Sequence, residues 1–125
     1  MNVRIAQGGW LEPGAGTWRW LLALAMLGLL VLSLMPPSEA LPTTGWDKSN
    51  HMLGFAVLGA LGQWAWPGRG TMVFLSLLAY GGLIEVLQSL TPDRFAELMD
   101  IVADGIGLLV GIFLAHWIDR MRSAK

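Results

Sequence analysis

The sequence has no cysteine. That excludes disulfides, thiolate metal sites, covalent haem attachment, a cysteine nucleophile and a lipoprotein anchor. Charge is also scarce: Asp, Glu, Lys and Arg together make up 14% of the chain, against about 25% in ordinary soluble domains. The formal balance is only −1, so no nucleic acid or other polyanion is indicated as a partner. No internal repeat or low-complexity stretch is present, and none of the Gly-rich dinucleotide fingerprint, the P-loop, the nucleophile elbow or the zincin motif occurs.

Apolar residues fill the chain instead. Hydrophobic residues make up 54% and mean hydropathy is +0.56. A disordered chain is excluded, and 125 residues suffice for one domain. Four apolar runs, 18–35, 51–66, 71–90 and 101–118, are each near the length that crosses a bilayer as a helix. The second is short, and reaches full length if residues 46–50 form its first turn. Thr44 and Asp47 then read as a capping box. Four such helices cannot all be buried within a soluble chain of this size. The expected fold is therefore all-α, a polytopic membrane protein built as a bundle of four transmembrane helices. Residues 1–17 form a glycine-rich, flexible cytoplasmic tail. Residues 18–125 form the membrane domain, with spans of about 18–35, 46–66, 71–90 and 100–118.

The connections are short. In the linker 91–100, Thr91-Pro92-Asp93 reads as a helix start with Pro92 at the first helical position. Phe95, Leu98, Met99 and Val102 then share one face, as in an interfacial helical turn. Arg4 and Arg19 with the first apolar run also resemble a signal peptide, but the run exceeds the usual h-region of about 7–15 residues. It is read as a retained anchor.

Basic residues set the orientation. Arg4, Arg19, Arg69, Arg120, Arg122 and Lys125 fall on one side, Lys48 and Arg94 on the other. The bias places both termini in the cytoplasm of a bacterial inner (plasma) membrane. Trp18, Trp20, Trp64, Trp66 and Trp117 lie at the cytoplasmic ends of the spans and Trp46 at an outer end, as expected of an aromatic belt.

The informative residues are polar groups in or beside apolar runs. Asp47 and His51 share a helix face, with Lys48 on the adjacent one. Glu85 and Gln88 share another, and Asp100 and Asp104 a third. At about 1.5 Å per residue, His51, Glu85 and Asp104 lie roughly 6–8 Å inward from the outer ends of three spans. One layer can hold all three. Ionisable groups at such depth mark function by default, although the same groups can be a network holding the helices together. His116 stands alone near Trp117 and needs no special role. Ala103, Gly107, Gly111 and Ala115 form a stripe of small residues on the fourth span, suited to close helix approach. Gly59, and Gly81 with Gly82 inward of Glu85, are read the same way.

Taken together, Asp47-Lys48-x-x-His51-x-x-x-Phe55, Glu85-x-x-Gln88, Arg94 and Asp100-x-x-x-Asp104-x-x-Gly107 resemble the VanZ-like membrane proteins. The resemblance runs over about 46–111. The family commonly has Asn where this chain has Asp104. It implies cell-envelope work, the namesake being associated with low-level resistance to the glycopeptide teicoplanin.

Three functions are then open. In the first, the protein binds or processes a lipid-linked, phosphate-bearing envelope precursor. His51 acts as general acid/base or nucleophile with Glu85 orienting it. Asp47, Lys48, Gln88, Arg94, Asp100 and Asp104 bind the substrate, with Lys48 and Arg94 on the phosphate. In the second, a non-catalytic factor assists envelope enzymes, alone or as a homo-oligomer, and the polar layer is architecture. In the third, a small transport protein binds an ion through His51, Glu85, Asp100 and Asp104, whose O and N donors suit Mn or Zn. The pattern assigns no metal ligand and no cofactor among these.

Overall fold

The computed structural model describes residues 3–5, 11–35, 47–92 and 95–124, with backbone alone at 3–5, 11, 12 and 47. Two short strands, β1 (Val3–Ile5) and β2 (Leu11–Pro13), pair antiparallel with Val3 opposite Pro13 and Ile5 opposite Leu11. Four helices follow: α1 (Ala15–Leu34), α2 (Asp47–Ala65), α3 (Gly70–Ser89) and α4 (Leu98–Ser123). The chain is an all-α bundle with a small β ladder at its N-terminal side. α1 begins three residues earlier than the apolar run suggests, at Ala15 after an extended Gly14.

Side-chain partners fix the directions. Lys48 at the start of α2 meets Asp100 at the start of α4, and Trp64 at the end of α2 meets Asp119 near the end of α4. These two helices therefore run parallel. Gln88 late in α3 meets Ser33 late in α1, so α1 and α3 are also parallel. Arg19 at the start of α1 reaches Ala65 at the end of α2, so the two pairs oppose each other. The result is an up-down-up-down bundle with the start of α1 and the end of α4 on one side.

The turn between α2 and α3 closes through Gly68, whose φ of +79° is the left-handed region that favours glycine. The linker before α4 departs from the sequence reading. Pro92 lies in a turn, residues 95–97 are not helical, and α4 starts at Leu98 after an extended Glu97. Pro92 is therefore not the first residue of that helix. Thr44 of the expected capping box lies outside the described residues.

The small-residue stripe packs as its spacing suggests. Ala103, Gly107, Gly111 and Ala115 are all buried. A Cβ at Gly107 would run into the carbonyl of Met52, and one at Gly111 into the carbonyl of Ala56. At Gly59 on α2 a Cβ would lie 2.7 Å from the Leu108 carbonyl oxygen. α2 and α4 thus meet backbone to backbone, which only small residues permit. Gly82 differs from that expectation, since nothing lies within 4 Å of a Cβ there.

The core is Leu22, Phe55, Leu58, Val73, Leu77, Ile84 and Leu108, drawn from all four helices. The outer surface is apolar as well: Leu24, Leu27, Leu53, Leu75, Leu109 and Phe113 are all exposed. Water does not favour so continuous an apolar shell; lipid does. Among the described residues α1, α3 and α4 are long and apolar enough to cross a membrane. α2, at 19 residues, is diluted by polar groups in its first turns. α4 extends over about 39 Å at 1.5 Å per residue, more than the ~30 Å hydrocarbon core. Its last turn carries Arg120 and Arg122, which suit the negative end of the helix dipole.

Candidate functional site

At the end of the bundle where α2 and α4 begin and α3 finishes, five polar side chains converge. Asp104 is fully buried at 0% exposure, Asp100 at 2%, Glu85 at 4% and His51 at 8%. Lys48 is half-buried at the rim. Each comes from a helix turn that the amphipathic spacing put on an inward face. His51 lies one turn before Phe55 in the core. Glu85 follows Ile84, and Asp104 lies one turn before Leu108.

The imidazole is the centre of the cluster. His51 Nδ1 lies 2.9 Å from Asp104 Oδ1, and with Asp104 ionised the nitrogen donates. Its Nε2 faces Asp100 Oδ2 at 3.7 Å. His51, Glu85 and Asp104 each offer a ligand atom within 4.8 Å of the others. The three residues that depth arithmetic put in one layer are therefore brought together across α2, α3 and α4.

Their relations differ from the sequence expectation in two ways. The carboxylate on the His51 ring is that of Asp104, not Glu85. Glu85 Oε2 instead accepts from the Glu97 backbone N–H at 3.0 Å, fixing the start of α4 against α3. Its Oε1 is buried with no hydrogen-bond partner. Secondly, Lys48 Nζ donates to Glu97 Oε2 at 2.6 Å and to Asp100 Oδ1 at 3.4 Å. The ammonium is thus held by two carboxylates. Hydrogen bonding from Lys48 holds the Glu97 carboxyl below its usual range.

Gln88 is placed apart from the cluster. Its Nε2 donates to the Ser33 carbonyl at 2.9 Å, satisfying one of the last open acceptors of α1. Asp47 opens α2, but its side chain, like Arg94 and Trp46, lies outside the described residues. Gly81 packs beside the site: a Cβ there would lie 2.6 Å from Asp104 Oδ2 and 3.2 Å from Phe55 Cζ. At the same end of the bundle the stretch from the end of α3 to the start of α4 exposes Leu90, Phe95, Leu98 and Met99.

The opposite end has a different construction. Trp18 and Trp64 pack with ring centroids 4.7 Å apart and planes tilted by 36°. Trp64 Nε1 donates to Asp119 Oδ1 at 3.0 Å. Arg19 donates to the Ala65 carbonyl and lies 4.9 Å over the Trp66 ring. Midway, the Tyr80 hydroxyl donates to the Met26 carbonyl at 2.6 Å, tying α3 to α1. Asp119, Tyr80 and Glu97 are not singled out by sequence reasoning. For Glu97 a signal exists, since it stands three residues before Asp100 at a helix start. Asp119 and Tyr80 give none, because their partners are about 55 residues away. His116 is exposed.

Comparison with known proteins gives one family: a family model described as VanZ/LLP1 matches residues 18–119. No curated protein and no solved structure matches the chain.

Proposed function

The chain belongs to the VanZ/LLP1 family, and from that premise we propose that it is a bacterial envelope membrane protein that receives a phosphate-bearing headgroup at its polar end. Four spans are proposed, α2 being the fourth. Both termini lie in the cytoplasm, by the bias of Arg and Lys toward the turns on their side. The polar cluster then opens toward the outer leaflet.

One observation carries the headgroup reading. The buried His51–Asp104–Asp100–Glu85 cluster lies at the end of the bundle where Leu90, Phe95, Leu98 and Met99 are exposed. A polar centre at the same end as an exposed apolar stretch suits an amphiphile, whose chains lie along the apolar side chains while the head meets the cluster. His51 has its Nδ1 proton held by Asp104, so Nε2 is the atom that exchanges protons with the headgroup. Arg94, in the loop joining α3 to α4, is proposed to grip the phosphate with two hydrogen bonds. A role in glycopeptide susceptibility, by teicoplanin, follows the family's name and is part of the proposal.

Two measurements test this. Purified protein in lipid nanodiscs is incubated with polyprenyl phosphate and pyrophosphate lipids, and both binding and phosphate release are measured, with His51→Ala as control. Saturable binding that His51→Ala weakens supports the reading; binding no stronger than to lipids without a terminal phosphate removes it. A periplasm-dependent reporter fused after Thr43 should be active and one fused after Lys125 inactive. An active fusion at Lys125 reverses the orientation.

A further inference from the structure

We infer that His51, Glu85 and Asp104 bind one divalent cation of the Mn2+ or Zn2+ class. Their donors, one imidazole nitrogen and two carboxylate oxygens, all lie within 4.8 Å of one another and are buried. That donor set suits the borderline first-row divalent ions. The 2.9 Å between His51 Nδ1 and Asp104 Oδ1 corresponds to an angle of about 90° at an ion bound about 2.1 Å from each. The two atoms can therefore be adjacent ligands of one ion.

A second, independent observation points to a ligand. Glu85 is more than nine-tenths buried and its Oε1 has no hydrogen-bond partner. Leaving a carboxylate oxygen buried and unsatisfied is costly. The local charge agrees. Three of the cluster's carboxylates, those of Glu85, Asp100 and Asp104, are buried. Lys48 is held by Glu97 and Asp100 and does not reach Glu85. A divalent ion beside Glu85 Oε1 supplies positive charge there.

The surroundings fit. Gly81 leaves room beside Asp104 Oδ2 that a Cβ would fill. When the ion takes the place of the Nδ1 proton, the ring keeps its proton on Nε2, which faces Asp100 Oδ2 at 3.7 Å. A carboxylate behind a ligating histidine holds the ring in that tautomer. The site does not depend on the headgroup reading, although an ion there gives an anionic headgroup a positive centre in an otherwise acidic cluster.

The test uses the full chain, purified in detergent and stripped with EDTA. It is titrated with MnCl2 while free Mn2+ is followed by electron paramagnetic resonance. One Mn2+ should bind per chain, ZnCl2 should displace it, and pulsed spectra should carry a coupling to an imidazole nitrogen. Glu85→Gln and Asp104→Asn should each weaken binding by at least about tenfold, and His116→Ala should leave it unchanged. Circular dichroism reports whether each variant keeps its helices. Gly81→Ala removes no ligand, yet it should also weaken binding because its methyl enters the site. Wild-type protein that binds neither Mn2+ nor Zn2+ in stoichiometric amount overturns the site, as does equal binding by folded Glu85→Gln. Polyprenyl phosphate binding that is insensitive to EDTA, with no Mn2+ bound, overturns the cation site and leaves the headgroup reading standing.

Discussion

The two ends of the bundle solve the same problem, polar side chains on membrane-length helices, in opposite ways. At the aromatic end the interfacial groups pair near the surface, Trp64 with Asp119 and Arg19 with the Ala65 carbonyl and the Trp66 ring, while Gln63 is buried with its Oε1 unpartnered. These contacts anchor the helices at an interface and ask little desolvation. At the acidic end three carboxylates and a histidine are buried among the described residues, and Glu85 Oε1 has no hydrogen-bond partner. Packing alone does not call for such a cluster, since apolar groups of similar volume would hold the helices at least as well. The aromatic end holds the helices together near an interface, and the acidic end is the one proposed to meet a ligand.

The comparison can be broken most severely by removing what both ends share, the backbone contact of α2 with α4. Gly111→Leu should have the largest effect, and Gly107→Leu nearly as large. Overpacking costs about 1–3 kcal/mol where side chains can yield, and here the first atom met is a main-chain carbonyl that cannot. Thermal unfolding of the purified variants in detergent measures this. An apolar exchange at exposed Leu109 should be mild. If all these variants melt together, the stripe does not hold the bundle.

Next come substitutions that should separate the two ends. His51→Ala, Glu85→Gln and Arg94→Ala should each abolish activity while protein level and helix content stay normal. The readout is complementation of a deletion strain, scored by glycopeptide susceptibility alongside protein level. Glu85→Gln keeps size and hydrogen bonding but removes the charge. Arg94→Lys should rescue poorly if the guanidinium makes two bonds to an oxyanion. Should His51→Ala and Glu85→Gln complement as well as wild type, the acidic end is scaffolding and the contrast between the ends collapses.

The aromatic end should respond the other way. Trp64→Phe removes the donor to Asp119, and should lower stability by about 1 kcal/mol without changing function. A full loss of activity with unchanged melting would place function at the wrong end. The smallest effect is a matter of pH. Lys48 holds the Glu97 carboxyl below its usual range. Stability from this pair is therefore present above the unfolded value of about 4.3. It is lost as pH falls through the lower folded value. Glu97 is exposed, so the contribution is slight. Glu97→Gln should flatten the acid limb of a melting-against-pH curve below about pH 4.5; an acid limb identical to wild type removes the pair from the account.

Much of the bundle is legible in the residue order alone. The helix positions agree with the apolar runs to within a few residues, because apolar length is written directly in the chain. Gly107 and Gly111 declare a contact face because residues four apart share a helix side. His51, Glu85 and Asp104 fall at one depth because helical rise is constant. The misreadings share a physical cause, a local signal overruled by a distant contact. Pro92 suggests a helix start from local propensity, but the chain turns there and defers α4 to Leu98. Gln88 looks like a pocket residue because it shares a face with Glu85, yet it reaches the open carbonyl of Ser33.

The sequence by itself determined the membrane-length helices, the small-residue seam and the depth of the ionisable layer, all of which follow from periodicity along one chain. Only the tertiary structure decided which partner each polar group takes. It set Asp104 rather than Glu85 on the imidazole, closed Lys48 between Glu97 and Asp100, and left Glu85 Oε1 buried without a donor. The reason is geometric. Depth is fixed by residue number, but the rotation of α4 against α2 is fixed by how Gly107 and Gly111 seat against the α2 backbone. That rotation chooses which of several carboxylates at the same depth faces the ring.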